Sequence, residues 1–520
     1  MATTACPNIL MIMADQLSAL ATSPYGNPYV LTPHLQELAD RGVVFQNSYC
    51  NFPLCVPSRA SMVSGRLCVN IESYDNGCEL LATTPTFMHH LRLAGYHTVL
   101  SGKMHFIGPD QLHGFEKRLT TDIFPANYNL YRPWEVQGNP PRPVRPTMAE
   151  HLKHAGPVAW SDQLEYDEEV HYRALEQLRA YSRRQGASAD QPWFFCVSYT
   201  HPHDPPFITA EYWDRYENVE IPPPETPPPG HVPHESDTWV ITYCGVDAVG
   251  LTAEEIQRAR RGYFAMTSYF DDKVGALVGE LGRLGLLDNT IVIVTSDHGD
   301  MVGEHGMWFK RSAREWSARV PLIVSSPGRY PSGRRIRENV SLVDLYPSLL
   351  SMAGVEIPLE LPLELDGHDF TPLLRGELVD WPNEVFVENY GAGTIKPVRA
   401  LVKDRYKYVE VYDLPPQLYD LDRDPGEWHN LADDPRYAEV AAALRARTLD
   451  GWDGAALEEK IIESQRVRQF VKRALDVGHN HPWDFQPLFD ATKVYSRRHR
   501  ANGPDAVKTV VAGFEQPREK

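Results

Sequence analysis

Cys55 opens the run Cys55-Val56-Pro57-Ser58-Arg59, and Gly65-Arg66 closes the same stretch. A lone cysteine is usually a small buried thiol on a turn. In this frame it can instead be the start of a nucleophile, and what it becomes decides the functional reading. Four other places carry chemistry. Asp15-Gln16 follows the apolar run Ile9-Leu10-Met11-Ile12-Met13-Ala14. A carboxylate leaving an apolar strand is a natural ligand for a hard cation, with a helix cap or a turn as the alternative. Ser296-Asp297-His298-Gly299-Asp300 follows Ile291-Val292-Ile293-Val294 and offers an oxygen and an imidazole at a second strand end, with Gly299 free to turn sharply. In Ser101-Gly102-Lys103-Met104-His105, Lys103 and His105 alternate, so in extended chain both face one way. A cation beside an imidazole suits an anionic ester, one offsetting charge and the other moving a proton. His201 and His203, in His201-Pro202-His203-Asp204-Pro205, and Lys310 complete the set.

Short β-branched or apolar runs alternating with longer amphipathic segments must position these groups, a pattern that predicts an α/β fold with a largely parallel sheet. Core strands are expected at Asn8–Ala14, 97–101, 193–199, 290–295 and 320–325, and helices at Pro33–Arg41, 86–94, 167–184, 253–284 and 342–352. Ligands gather at strand carboxyl ends in such sheets, and Asp15, Lys103, His203 and Asp297 all fall there. The ten prolines between 201 and 233 exclude regular structure over most of that stretch. It reads as an ordered loop over the site. Composition shifts near 374–381, and 384–388, 399–402 and Tyr406–Val411 read as antiparallel strands followed by a helix at 438–448. The expected division is a domain over 1–375 and a smaller one over 376–520.

A formal net charge of −18 argues against nucleic-acid binding, which depends on neutralising phosphates with Lys and Arg. No segment reads as a membrane span, and 1–14 lacks the basic region of a secretory signal. The seven cysteines form no CxxC pair, so reduced thiols and a cytoplasmic location are expected.

The stretch from Cys55 to Arg66 resembles the signature C-x-P-S-R-x-x-x-x-x-G-R of the sulfatase family, and the other motifs extend the resemblance from Asn8 beyond residue 420. That resemblance implies an alkaline phosphatase-like fold, a mostly parallel central sheet flanked by helices, with a smaller C-terminal domain and an extended tail. It also implies that Cys55 is oxidised to formylglycine by a formylglycine-generating enzyme or equivalent. The hydrated aldehyde then attacks sulfur, and its second hydroxyl later expels sulfate. By the same resemblance Asp15, Gln16, Asp297 and His298 bind one divalent metal together with the modified Cys55. Calcium is favoured, with manganese or magnesium as alternatives. Arg59 would hold the formylglycine, with Lys103, His105, His203 and Lys310 around the sulfate. His201 competes with His203 for its role.

Within the family, Tyr74-Asp75-Asn76, the run Leu100 to Phe115, Leu119-Thr120-Thr121-Asp122-Ile123 and the tail Pro482-Trp483-Asp484-Phe485-Gln486-Pro487 resemble choline sulfatases. The implied substrate residues are Asn76, Glu388 and Asp490, the last from a neighbouring subunit's tail, so a homo-oligomer (dimer or tetramer) is expected. Leu130 stands where that group carries a tryptophan, and Pro146-Thr147 where it carries His-Asn. Loss of an aromatic wall would forfeit roughly 1–2 kcal/mol of cation binding. The expectation is therefore a sulfatase of choline-sulfatase type with an altered leaving-group pocket, in which Tyr128, Tyr131 or Trp134 could rebuild a cage. The rival reading is a promiscuous arylsulfatase or a phosphonate monoester or phosphodiester hydrolase of the same superfamily.

Overall fold

A computed structural model describes residues 6–128, 132–138, 148–185, 190–355, 364–477 and Trp483. Fourteen strands are seen among them. They are β1 (Asn8–Ala14), β2 (Val43–Tyr49), β3 (His97–Gly102), β4 (Lys117–Arg118), β5 (Gly156–Pro157), β6 (Trp193–Ser198), β7 (Phe207–Ile208), β8 (Thr290–Ser296), β9 (Leu322–Ser325), β10 (Arg334–Ser341), β11 (Glu384–Asn389), β12 (Val398–Lys403), β13 (Tyr406–Val411) and β14 (Gln417–Asp420). The large sheet has the order β10-β2-β9-β8-β1-β6-β3-β4. All its pairings are parallel except those of β9, which runs against both β8 and β2. The core strands are apolar without alternation because both faces are covered. Leu10, Ile12, Phe195, Val197, Val292 and Val294 pack on one side against the helix Ala253–Arg283. Ile9, Met11, Phe194, Cys196, Ile291 and Ile293 pack on the other against Leu345–Ala353.

The expected strands and helices are present, with differences at their edges. Strand 320–325 begins at Leu322, and the helix expected from 167 begins at Asp162, where Ser161 caps it by accepting from Leu164 N–H. Neither β2 nor β10 was expected: Gln46, Asn47 and the charges of 334–338 interrupt their apolar pattern, and the pairing of the two supplies the missing specification. The segment after Pro202 carries little regular structure, only β7 and the short helix Ala210–Asp214.

The smaller sheet is antiparallel, in the order β11-β12-β13-β14. It lies with the large sheet in one compact unit, and the boundary expected at 375/376 falls between the helix Thr371–Arg375 and β11. A buried ionic seam joins the sheets. Lys407 of β13 lies 2.7 Å from Glu315 and 2.9 Å from Glu427 and donates to the Ala313 carbonyl at 2.8 Å. Beside it Arg314 donates to Asp237 (2.7 Å) and to the Glu427 carbonyl (2.6 Å). The helix Ala438–Leu449 covers the sheet, and a further helix, Gly454–Leu475, absent from the sequence expectation, follows it. Among the described residues no helix is long and apolar enough to cross a membrane.

Candidate active site

Adjacent strands β8, β1, β6 and β3 end side by side, and each delivers its charged groups just past its carboxyl end. Asp15 and Gln16 follow β1, Asp297 and His298 follow β8, Lys103 and His105 follow β3, and His201 and His203 follow β6. Cys55 follows β2 in the chain and is the first residue of the helix Cys55–Ser64, whose residues are all buried. Lys103 and His105 are not in a strand as alternation assumed: β3 ends at Gly102, and His105 has φ 57°. Gly102 is required there, because at its φ of 109° a Cβ would lie 2.0 Å from the Ser198 carbonyl oxygen.

The Cys55 Sγ lies 3.3 Å from Lys310 Nζ, 3.3 Å from His298 Nε2 and 3.7 Å from Asp15 Oδ1. Ligand atoms of Asp15, Cys55, Asp297 and His298 all fall within 4.8 Å of one another. Arg59, one turn along the Cys55 helix, ties the cluster together. It donates Nε–H to Asp297 (2.8 Å), donates Nη1–H to the Lys103 carbonyl (2.7 Å) and to Ser198 Oγ (2.9 Å), and approaches Asp15 at 3.6 Å. Lys103 donates directly to Asp15. Lys310 bridges three groups, donating to Gln16 Oε1 (2.5 Å) and lying 2.7 Å from His203 Nε2 as well as near Cys55.

Burial by itself would raise the Cys55 thiol, but Lys103, Lys310 and His298 outweigh it and hold it well below the usual thiol range. Burial and the adjacent Cys55 push Asp15 up, and Lys103, His203 and Lys310 more than offset them, leaving it at about 2. Burial would lower Lys103, yet Asp15 and Cys55 keep it above its ordinary value. The site therefore favours an anion at residue 55 among fixed cations. For His105 burial wins and the ring is held below the usual imidazole range. Its two ring nitrogens make no hydrogen bond among the described residues, and the ring stacks on Phe124 at 4.8 Å.

The two histidines after β6 are used differently. His203 reaches Lys310, while His201 Nδ1 is held by Asp167 at 2.6 Å and its ring packs on Tyr269 at 4.7 Å. Gln16 is also committed: its amide donates to Asp300 (2.5 Å) and Asp204 (3.2 Å) while accepting from Lys310, so it borders the four-residue ligand cluster. Asn76 accepts the Val56 N–H at 3.0 Å and so caps the helix that begins at Cys55. Glu388 is fully buried and engages Val69 N–H (3.1 Å) and Arg399 (3.7 Å), none of them residues of the Cys55 cluster. Trp134, one of the three residues that could rebuild a cage, is buried and donates its backbone N–H to Gln465 at 2.8 Å. Tyr128 meets Trp483 edge-on at 5.0 Å. Leu130, Tyr131, Pro146, Thr147 and Asp490 lie outside the described residues.

Several supporting residues carried no role in the sequence reading. Asp122 accepts from the backbone N–H groups of Met104 and His105 and from Arg118. Asp167 anchors His201. Asp204 and Asp300 hold Gln16, and Phe124 lies 4.2 Å below Lys103 Nζ. Asp122, Asp204 and Asp300 sit inside the motif runs themselves, which was the available signal. A second grouping of His34, Asp271 and Asp272 has a structural use, since Asp271 accepts the N–H groups of His34 and Leu35 at a helix start.

The sulfatase family model matches residues 7–355, two thirds of the chain. The chain belongs to the sulfatase family. Two further models match this sulfatase: the N-sulphoglucosamine sulphohydrolase C-terminal model over 303–451, overlapping the first, and the choline sulfatase C-terminal model over 459–503. It is 40% identical to a choline-sulfatase of Rhizobium meliloti, covering 96% of this chain and 97% of that one. It is 30% identical to arylsulfatase K of Danio rerio, over 82% and 80% of the two chains. The structure of a phosphonate monoester hydrolase from Silicibacter pomeroyi superposes with a TM-score of 0.68 at 26% identity, covering 86% of this chain and 95% of that one. The alkaline phosphatase-like architecture expected from the motifs is thus the one found, and the protein is a sulfuric ester hydrolase.

Proposed function

We propose that this sulfatase hydrolyses a small organic sulfate monoester, with residue 55 acting as formylglycine derived from Cys55. The observation that carries the proposal is the convergence of Lys103, Lys310 and His298 on the Cys55 Sγ beside Asp15 and Asp297. Hydrated formylglycine supplies a hydroxyl to attack sulfur and a second hydroxyl whose deprotonation releases sulfate, a step a plain cysteine or serine cannot offer. The chain's own residues prepare that chemistry. Lys103 and Lys310 face the sulfate oxygens and offset their charge, in a buried site where such fixed cations act most strongly. Arg59 fixes the carboxylates around residue 55. His203 donates Nδ1–H to the Asp204 carbonyl at 2.7 Å, which leaves Nε2 toward Lys310, and this pair can hand a proton to the departing alkoxide. His105, with both nitrogens uncommitted, is the second donor to that oxygen.

The donor set fits a divalent cation. Asp15, Asp297 and His298, with an oxygen at residue 55, would hold it, and Gln16 would join if its amide turned from Lys310. The oxygen-rich set favours calcium, and the imidazole admits manganese. Such an ion would lower the pKa of the attacking hydroxyl and polarise the sulfate.

For the alcohol, similarity to a choline-sulfatase over nearly the whole chain supports a choline-type ester, while Leu130 in place of an aromatic residue supports a pocket altered toward other alcohols. The phosphonate monoester reading is supported by structural likeness and by the single negative charge that sulfate monoesters and phosphonate monoesters share. Hydrolysis rates on choline sulfate, an aryl sulfate and a phosphonate monoester test these readings together. Highest kcat/KM on a sulfate ester is expected, and a preference for the phosphonate would overturn it. Peptide mass analysis should find residue 55 as the aldehyde or its hydrate, and unmodified Cys55 in fully active protein would end the formylglycine mechanism.

A further inference from the structure

Asn76 caps the nucleophile's helix at Val56, and the neighbouring residue, Asp75, is held from an unexpected direction. Arg468 projects from the helix Gly454–Leu475 and grips the Asp75 carboxylate with two bonds, 2.6 Å from Nη1 and 2.9 Å from Nη2. Both side chains are buried, and this fork-to-carboxylate geometry fixes orientation as well as distance. Asp75 also accepts the Gly77 N–H at 2.8 Å, which locks the turn containing Asn76. From the other side the turn is wedged by Gly391, where a Cβ would lie 2.7 Å from the Tyr74 carbonyl oxygen and 2.9 Å from Asp75 Cβ. The chain of contact is continuous: Arg468 to Asp75, Asp75 through the turn to Asn76, Asn76 to Val56 N–H, and so to residue 55.

We propose that Arg468 is a positioning residue for the nucleophile, so that the C-terminal helix sets the placement of residue 55 through the Asp75–Asn76 turn. The proposal rests on residue 55 being the nucleophile. Arg466 serves as the control. It lies on the same helix and pairs with Glu135 at 2.6 Å, but on the exposed side and without contact to Asp75.

Three variants of the full-length protein test this: Arg468→Lys, which keeps the charge but loses the fork; the neutral pair Arg468→Met with Asp75→Asn, which leaves no buried charge unpaired; and Arg466→Ala. Each is assayed on whichever ester the parent turns over, sulfate or phosphonate, so a wrong substrate class shows already in the parent. Formylglycine content and Tm are measured on the same samples. A displaced nucleophile should lower kcat about ten- to a hundredfold with KM within about threefold, because misplacement penalises the chemical step more than binding. That result is expected for Arg468→Lys and for the neutral pair, at parental formylglycine content and with Tm above the assay temperature, while Arg466→Ala stays parental. The proposal is overturned if kcat stays within about twofold of the parent in either folded Arg468 variant. It is equally overturned if the loss tracks formylglycine content or Tm, or if both variants unfold, since the contact would then be merely structural.

Discussion

Two clusters of buried charge in this molecule invite comparison, one at the carboxyl ends of the central strands and one along the seam between the two sheets. At the seam, Lys407 pairs with the carboxylates of Glu315 and Glu427 and donates to the Ala313 carbonyl, so its charge is matched within the protein. At the strand ends the wiring is left open. Lys103, Lys310 and His298 converge on residue 55, His105 offers two ring nitrogens to no partner among the described residues, and Arg59 leaves Nη2 without a hydrogen bond. Desolvating charge is costly in both places. The seam offsets the cost with mutual pairing and holds a shape. The strand-end cluster keeps an excess of donors aimed at one point, as a site that stabilises an incoming anion must.

The contrast breaks most sharply at Cys55. Cys55→Ala should abolish turnover while leaving Tm at or near the parental value, because the side chain is small and no structural bond depends on it. Scanning calorimetry beside a sulfate-release assay checks both halves, and a Tm collapse would mean the cluster is a structural element. Lys310→Met should come next, lowering kcat by about 10²–10³-fold, the loss typical of one preorganised charge-stabilising donor. Its unfolding midpoint in urea should shift little, since Gln16 retains Asp300 and Asp204.

The seam should respond in the opposite sense. Lys407→Met removes the cation shared by Glu315 and Glu427, leaving Glu315 only the longer contacts to Arg319 and the Tyr49 hydroxyl and Glu427 only the Glu315 N–H. Breaking such a buried pair costs about 3–5 kcal/mol. Urea unfolding should record that loss, while kcat of the folded fraction stays within about twofold of the parent. A large kcat effect would erase the distinction between the two clusters.

Glu388 gives the smallest and most discriminating effect. Burial raises its carboxyl above the ordinary 4.5, with Arg399 only partly offsetting this. The folded state therefore holds the proton more tightly than the unfolded chain. The corresponding stability is fully present below pH 4.5 and is lost as pH rises through the folded value. Glu388→Gln lacks that slope and should gain stability relative to the parent as pH climbs from about 5 to 8 in parallel denaturation series. If Glu388 also senses a substrate cation, KM for choline sulfate should rise in the variant while KM for an aryl sulfate does not. Equal KM changes would confine Glu388 to its pairing with Arg399.

Much of this site could be read from the chain because its chemistry is local in sequence. Asp15, Lys103 and Asp297 follow apolar runs directly, and a residue just past a buried parallel strand lands at the sheet's carboxyl edge. What was not readable depended on partners remote in sequence. β2 and β10 are weakly patterned and become strands by pairing with each other. His201 and His203 look alike along the chain, yet Asp167 on one helix claims the first while Lys310 meets the second. Trp134 and Gln465, more than three hundred residues apart in the chain, meet only in the fold.

The sequence by itself determined the reaction class and the identities of the groups that gather at residue 55, because both follow from residue types attached to strong strand signals. Only the tertiary structure decided which of those groups touch, which histidine meets Lys310, and that the turn beside Asn76 is gripped by Arg468. Those outcomes depend on the order of strands in the sheet and on helix docking. Both are set by long-range packing, which no local pattern of residues encodes.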